Sequence, residues 1–301
     1  MVIGLQEKAV KRLQEVYVVS LMGKVFRIGY HSGVLEMVFR TNDEAIHTIS
    51  LNENFAVLGS ADKYFRLWPL DFTEFIMEAK HSNTVCEVNT NKDGLRVACG
   101  SLEGSISILD KSNFKYRYLM RSHTADILSM DFHLGKKNII TVSKDSTIRL
   151  WDPENCEQMI EFRSSIDEPL CVAAHPTLPI FSCGFQSGAM RIFVIEDTCV
   201  SDEFNIFKKP IKCLAYSPNG EILVTCCEDG SVSIHNARRQ HLPTKVMKLE
   251  FIPEFVHVAF SPITRSNRIK IFKDTAVVDY NKEASDDEEN INLSNYQADL
   301  C

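Results

Sequence analysis

Val142-Ser143-Lys144-Asp145-Ser146-Thr147-Ile148-Arg149-Leu150-Trp151-Asp152 places a small polar step, a tight turn and an alternating apolar run in one short stretch. The same block returns along the chain. With Asp145 as the reference column, Met22, Asp62 and Glu103 align before it and Ser187 and Asp229 after it, at spacings of 40, 41, 42, 42 and 42 residues. A period of this size marks supersecondary units that cannot bury their apolar faces singly and so stack on one another. The architecture therefore follows from the repeat rather than from local propensity.

Within one period the apolar residues alternate with a spacing of two and are broken by turn residues, which predicts four short antiparallel strands. In the copy quoted above these are Ile127 to Phe132, Asn138 to Ser143, Thr147 to Asp152 and Gln158 to Phe162, with turns at 134–137, 144–146 and 153–155. The template also predicts first strands at Ile46 to Leu51, Val85 to Thr90, Leu170 to His175 and Ile211 to Ser217. Asn91-Lys92-Asp93-Gly94 and Pro218-Asn219-Gly220 supply hairpin turns.

The two ends depart from the template. Val16 to Ser20 reads as a second strand with no first strand before it, and residues 1–15 carry a weak helical pattern through Leu5, Val10 and Leu13. Val256 to Phe260 reads as a first strand and Arg268 to Phe272 as a third, with a strand missing. The organisation expected is an N-terminal segment or linker over 1–15, a repeat array over 16–280 and an acidic, disordered tail over 281–301. Ring closure is expected if Val16 to Ser20 and Val34 to Val38 complete the blade begun by Val256 to Phe260.

Composition narrows the function. Hydrophobic residues make up 45% of the 301 residues, enough for a large core. The formal charge of -7 comes largely from six acidic residues after Lys282; without them 34 acidic residues face 33 basic ones. Such a balance predicts no nucleic-acid partner. The ten cysteines form no C-x-x-C pair, and Cys99, Cys183 and Cys226 fall on predicted inner strands, where a reduced thiol acts as a small hydrophobe. These features, with no long apolar run, predict a cytoplasmic protein without membrane insertion.

Arg149-Leu150-Trp151-Asp152, with His123 ahead of them, makes the chain resemble a WD-repeat protein over about residues 16 to 280. That resemblance implies an all-β WD-repeat β-propeller of about seven four-stranded blades, with terminal blades incomplete. It also implies a structural hydrogen-bond set: His123, Thr141 or Ser143, Asp145 and Trp151. The second copy keeps Ser60, Asp62 and Trp68 of that set, with Asn42 in the His column. The third keeps His81, Ser101 and Glu103 but has Leu109 in place of Trp. In the sixth, Phe207 and His235 fill the His and Trp columns.

Arg66-Leu67-Trp68-Pro69-Leu70-Asp71-Phe72, Phe75 to His81 and Tyr118 to Thr124 are similar to stretches of centriolar and ciliary WD-repeat proteins. This implies a non-enzymatic scaffold at the centriole, basal body or cilium that helps organise the microtubule wall. Its partners would be tubulin or centriolar and ciliary scaffold proteins. Members of that group are longer and carry a separate microtubule-binding module, which residues 1–15 do not supply.

Lys208, Lys209 and Lys212, and Arg265 and Arg268 with Lys270 and Lys273, are basic clusters suited to acidic protein tails, hence candidate partner contacts. His133 and His175 end first strands near one rim and read as exposed rim residues. A second reading is a substrate-recognition subunit of a ubiquitin ligase, since His235-Asn236-Ala237-Arg238 stands where some WD-repeat proteins carry W-D-x-R. No phosphate loop, H-E-x-x-H pair or nucleophile elbow occurs. Gly184-Phe185-Gln186-Ser187-Gly188 reads as the turn between second and third strands. The sequence thus predicts neither catalytic residue, metal nor cofactor.

Overall fold

In a computed structural model of the chain the described backbone covers residues 2–7, 14–29, 35–40, 44–51, 54–91, 93–119, 123–133, 138–248, 256–260, 269–273 and 276–279. Its regular elements are all strands, arranged in seven antiparallel meanders, each formed from one uninterrupted stretch of chain. Blade one comprises Val2–Glu7, Gln14–Val19, Lys24–Gly29 and Leu35–Arg40. Blade two comprises Ile46–Leu51, Phe55–Ser60, Tyr64–Pro69 and Met77–Lys80; blade three Val85–Thr90, Arg96–Ser101, Ile106–Asp110 and Lys115–Tyr118. Blade four is Ile127–His133, Asn138–Ser143, Thr147–Asp152 and Glu157–Arg163, matching the strands read from the repeat. Blade five follows with Pro169–Ala174, Ile180–Phe185, Ala189–Val194 and Cys199–Asn205, and blade six with Ile211–Tyr216, Ile222–Cys227, Ser231–Asn236 and Leu242–Lys248. Blade seven has three described strands, Val256–Phe260, Ile269–Lys273 and Ala276–Asp279.

The ends correct three expectations. Val2–Glu7 is a strand rather than helix; it pairs with Gln14–Val19 and supplies blade one with the first strand that seemed absent. Ile269–Lys273 pairs directly with Val256–Phe260, so it is the second strand of blade seven and not the third. Blades one and seven share no sheet among the described residues. The ring closes by adjacency: first strands touch in sequence from blade to blade, and that of blade seven approaches that of blade one. The acidic tail lies outside the described residues.

Stability resides between blades. The interface of blades four and five packs Ile140, Val142, Ile148 and Leu150 with Phe181, Cys183, Phe185 and Phe193. That of blades three and four packs Ala98, Ile106 and Ile108 with Met130, Ile139 and Trp151. Blades two and three meet through Val57, Phe65 and Leu67 with Val88, Val97 and Leu109. Such side chains contribute about 1.5–3 kcal/mol each when fully buried, so stacking rather than any single sheet carries the fold. Cys99, Cys183 and Cys226 are fully buried and unpaired within these layers.

The repeat is also a conformational period. Gly23, Lys63, Gly104, Ser146, Gly188 and Gly230, each one residue after the Asp145 column, have left-handed backbone (φ from 64 to 88°) in the turn between second and third strands. Gly188 thus sits in the turn read from the sequence. A second left-handed column, in the turn before the outer strand, runs Phe72, Phe114, Cys156, Thr198 and Gln240. No glycine stands in it, which hid it from a reading based on turn residues.

Inner strands are sheet edges and leave backbone groups unpaired. The preceding blade satisfies them with side chains. Thr48 Oγ1 and Ser50 Oγ of blade two accept from the N–H groups of Val88 and Thr90 at 3.3 and 3.1 Å. Ser129 Oγ and Asp131 Oδ2 of blade four do the same for Val172 and Ala174 at 3.3 and 2.9 Å. Between blades three and four, Asn89 Nδ2 donates to Met130 O at 3.0 Å.

Candidate functional site

Blade four holds a continuous hydrogen-bond chain. Trp151 Nε1 donates to Thr141 Oγ1 at 2.8 Å, and Thr141 Oγ1 lies 2.7 Å from His123 Nε2. His123 Nδ1 lies 2.9 Å from Asp145 Oδ2. One assignment satisfies every group: the indole donates to the hydroxyl, the hydroxyl to Nε2, and Nδ1–H to the carboxylate. Thr147 Oγ1 also donates to Asp145 Oδ1 at 2.6 Å, and Thr124 N to Oδ2 at 3.1 Å. Ser143 Oγ donates instead to Ala125 O at 3.0 Å and accepts from Asp145 N, tying the turn to the leading loop. Burial pushes the His123 imidazole down to about 4 despite the adjacent carboxylate, so it is neutral near pH 7. Burial would raise Asp145, but the Thr147 hydroxyl, then His123 and the Thr124 N–H, hold it at about 2.

The other copies assemble only parts. In blade two, Ser60 Oγ donates to Ala45 O at 3.1 Å, and Asp62 accepts from Tyr64 N and Arg66 Nη1 at 2.9 and 2.7 Å. Trp68 does not join them. Its Nε1 is buried without a partner, because Leu58 occupies the register position of Thr141. The indole packs instead among Phe39, Phe72 and Phe75, at centroid distances of 4.4, 6.1 and 5.7 Å. Asn42 lies outside the described residues. In blade three, His81 Nδ1 accepts from Ser82 N at 2.9 Å and Nε2 is left unpartnered, while Ser101 Oγ donates to Ser105 O at 3.3 Å. In blade six, Thr225 Oγ1 and His235 Nε2 are both buried without partners.

Sequence reasoning missed several links. Arg66, Arg149 and Arg191 on third strands pair with Glu78, Glu161 and Glu203 on outer strands at 3.0, 3.2 and 2.7 Å, always twelve residues on. That constant spacing was a legible signal. His133 and His175 are not exposed rim residues: they are 1% and 3% exposed. Each reaches into the next blade, His133 Nε2 to Leu178 O at 2.7 Å and His175 Nε2 to Gly220 O at 2.9 Å. Tyr216 likewise bridges Ser182 of blade five and His241 through its hydroxyl.

Two loop-bearing faces and an outer rim remain for contact. Lys208, Lys209 and Lys212 are exposed where the chain enters blade six, with Lys212 Nζ 4.0 Å from Glu228 Oε1. Arg265 and Arg268 lie outside the described residues. His235 is buried, with Nδ1 donating to His241 O at 3.0 Å, and Arg238 pairs with Glu221. No described helix is long and apolar enough to cross a membrane.

The model of the WD domain, G-beta repeat, matches residues 114–152 and 202–236. The solved WD40 beta propeller domain of Doa1 superposes with a TM-score of 0.74 over 91% of this chain and 90% of that one, at 17% identity. The chain is a WD-repeat β-propeller. It is 34% identical over 247 residues to WD repeat-containing protein 90 of Xenopus tropicalis, covering 75% of this chain and 13% of that protein. The Homo sapiens protein of the same name is 38% identical over 189 residues, 63% of this chain and 11% of its own length. Centriole proteome protein 16 of Chlamydomonas reinhardtii is 28% identical over 235 residues, covering 77% and 11%. The propeller thus spans a small part of these relatives.

Proposed function

We propose that this propeller is a non-enzymatic interaction scaffold that acts in centriole, basal-body or cilium assembly and helps organise the microtubule wall. The observation that carries the reading is the similarity, over about three quarters of the chain, to proteins one of which is named for the centriole proteome. A rigid ring whose blades are locked by buried polar links presents its loops in fixed positions, as a docking platform requires. Partner contact is assigned to Lys208, Lys209 and Lys212 on blade six, joined by Arg265 and Arg268, and the complementary partner is an acidic protein tail such as those of tubulin. The ubiquitin-ligase reading has less support, since Arg238 is engaged by Glu221 and His235 is internal.

Imaging of a tagged chain beside a centriole marker, together with microtubule co-sedimentation, tests the proposal. Co-localisation and pelleting that Lys208→Glu with Lys209→Glu abolishes are expected. Diffuse signal with no pelleting would overturn it.

A further inference from the structure

Charge is distributed unevenly around the ring. Residues 121–163, in blade four, balance seven acidic against six basic side chains. Residues 164–205, in blade five, hold six acidic and one basic, whereas residues 206–248, in blade six, hold three acidic and seven basic. The reversal is positional. Glu196, Asp197 and Glu203 stand 42 residues before Arg238, Arg239 and Lys245, so equivalent places on neighbouring blades carry opposite signs. Each trio spans the turn before the outer strand and that strand itself, and all six residues are exposed.

The outer strand of blade five meets the third strand of blade six. Phe204 and His235 approach to a centroid distance of 6.1 Å, and the Ser182–Tyr216–His241 hydrogen bonds fix blade five against the turn that holds Arg238 and Arg239. Both outer strands run in the same direction, each following the turn that closes its third strand. Exposed apolar side chains lie among the charges: Val200 is 45% exposed, Leu242 52% and Val246 58%. In blades two, four and five an arginine on the third strand neutralises the outer-strand glutamate. In blade six those positions are Ser233 and Lys245, which leaves the cation without that partner.

We infer that the rim of blades five and six is a self-complementary surface that joins two copies of this chain about a twofold axis parallel to the ring axis. Rotation about such an axis sets blade five of one copy against blade six of the other at equal height. Asp197 then faces Arg239 of the second copy, Glu203, which also holds Arg191, faces Lys245, and Val200, Leu242 and Val246 gather at the centre. Each contact occurs twice, as closed twofold association requires, and opposite potentials fix the register.

Sedimentation velocity of the full chain tests the inference. The expected result is a concentration-dependent dimer at about 50 mM salt that dissociates at about 500 mM, where charges beyond a few ångströms are screened. Arg239→Glu with Lys245→Glu should weaken self-association at least about tenfold. Mixing that variant with Asp197→Arg, Glu203→Arg, the residues that face the two reversed positions, should restore a heterodimer that neither forms alone. Far-UV circular dichroism and melting temperature establish that both are folded; should either fail, Lys245→Ala and the salt dependence of the unmodified chain decide. A monomer at about 100 μM in low salt, or a dimer indifferent to both charge reversals, would overturn the inference.

Discussion

His133 donates from Nε2 to the carbonyl oxygen of Leu178 at 2.7 Å, so a side chain at the end of one inner strand holds the first hairpin of the following blade. His133 is buried, and removing the imidazole leaves that carbonyl with the Ile180 N–H as its remaining donor. His133→Ala should therefore cost about 0.5–1.5 kcal/mol for the lost hydrogen bond, read as a lower urea midpoint at unchanged slope. An unaltered midpoint would reduce the bridge to a packing accident.

Thr141 and Thr225 occupy the same register in blades four and six, opposite Arg149 and Ser233. Thr141 serves both His123 and Trp151, whereas the Thr225 hydroxyl has no partner. Thr141→Val should lose about 2–4 kcal/mol by orphaning two buried groups, while Thr225→Val should be neutral or stabilising. Equal losses from the pair, measured by denaturation, would refute the distinction.

Stability should fall at both ends of the pH range, for opposite reasons. Burial holds His81, His123, His235 and His241 at about 4, below the ordinary 6.5. The unfolded chain takes up these protons first, so their stabilisation is present above 6.5 and is lost as pH falls through 4. Glu87 is the reverse: burial, with the nearby Asp131 charge, raises it to about 8 from 4.5. Its contribution is complete below 4.5 and lost as pH rises through 8. Melting temperature followed across this range should decline toward acid, and Glu87→Gln should remove the alkaline decline; a flat profile between pH 6.5 and 4 would contradict the histidine account.

The left-handed turn column makes opposite demands at two places. A Cβ on Gly104 would lie 2.4 Å from His123 O and 2.5 Å from Ala125 O, both backbone atoms that cannot yield. Gly104→Ala should cost more than about 2 kcal/mol, from strain at φ +78 and the displaced loop. Ser146→Gly, where a serine adopts φ 64, should gain up to about 1 kcal/mol. Thermal denaturation of the two variants gives the sign of each.

Strands of the middle blades were legible because alternation and turn residues agreed at a fixed period. Val2–Glu7 was not. A six-residue segment flanked by Lys8, Lys11 and Arg12 fits a helical spacing as well as a strand, and only its pairing with Gln14–Val19 decides. The local set around Asp145 could be read because its members lie within one repeat. The loss of Trp68 from the equivalent set depends on Leu58 across the sheet, a consequence of register rather than of motif. His133 and His175 misled for a related reason: what covers them belongs to a hairpin 45 residues later.

Closure by adjacency gives the propeller a built-in parting line. Six junctions between blades are spanned by the continuous polypeptide; the seventh, where the last blade meets the first, relies on lateral contact alone among the described residues. Loosening there would splay the circle into a spiral while every meander stayed whole, so the seam between blades seven and one is where the ring is expected to part first.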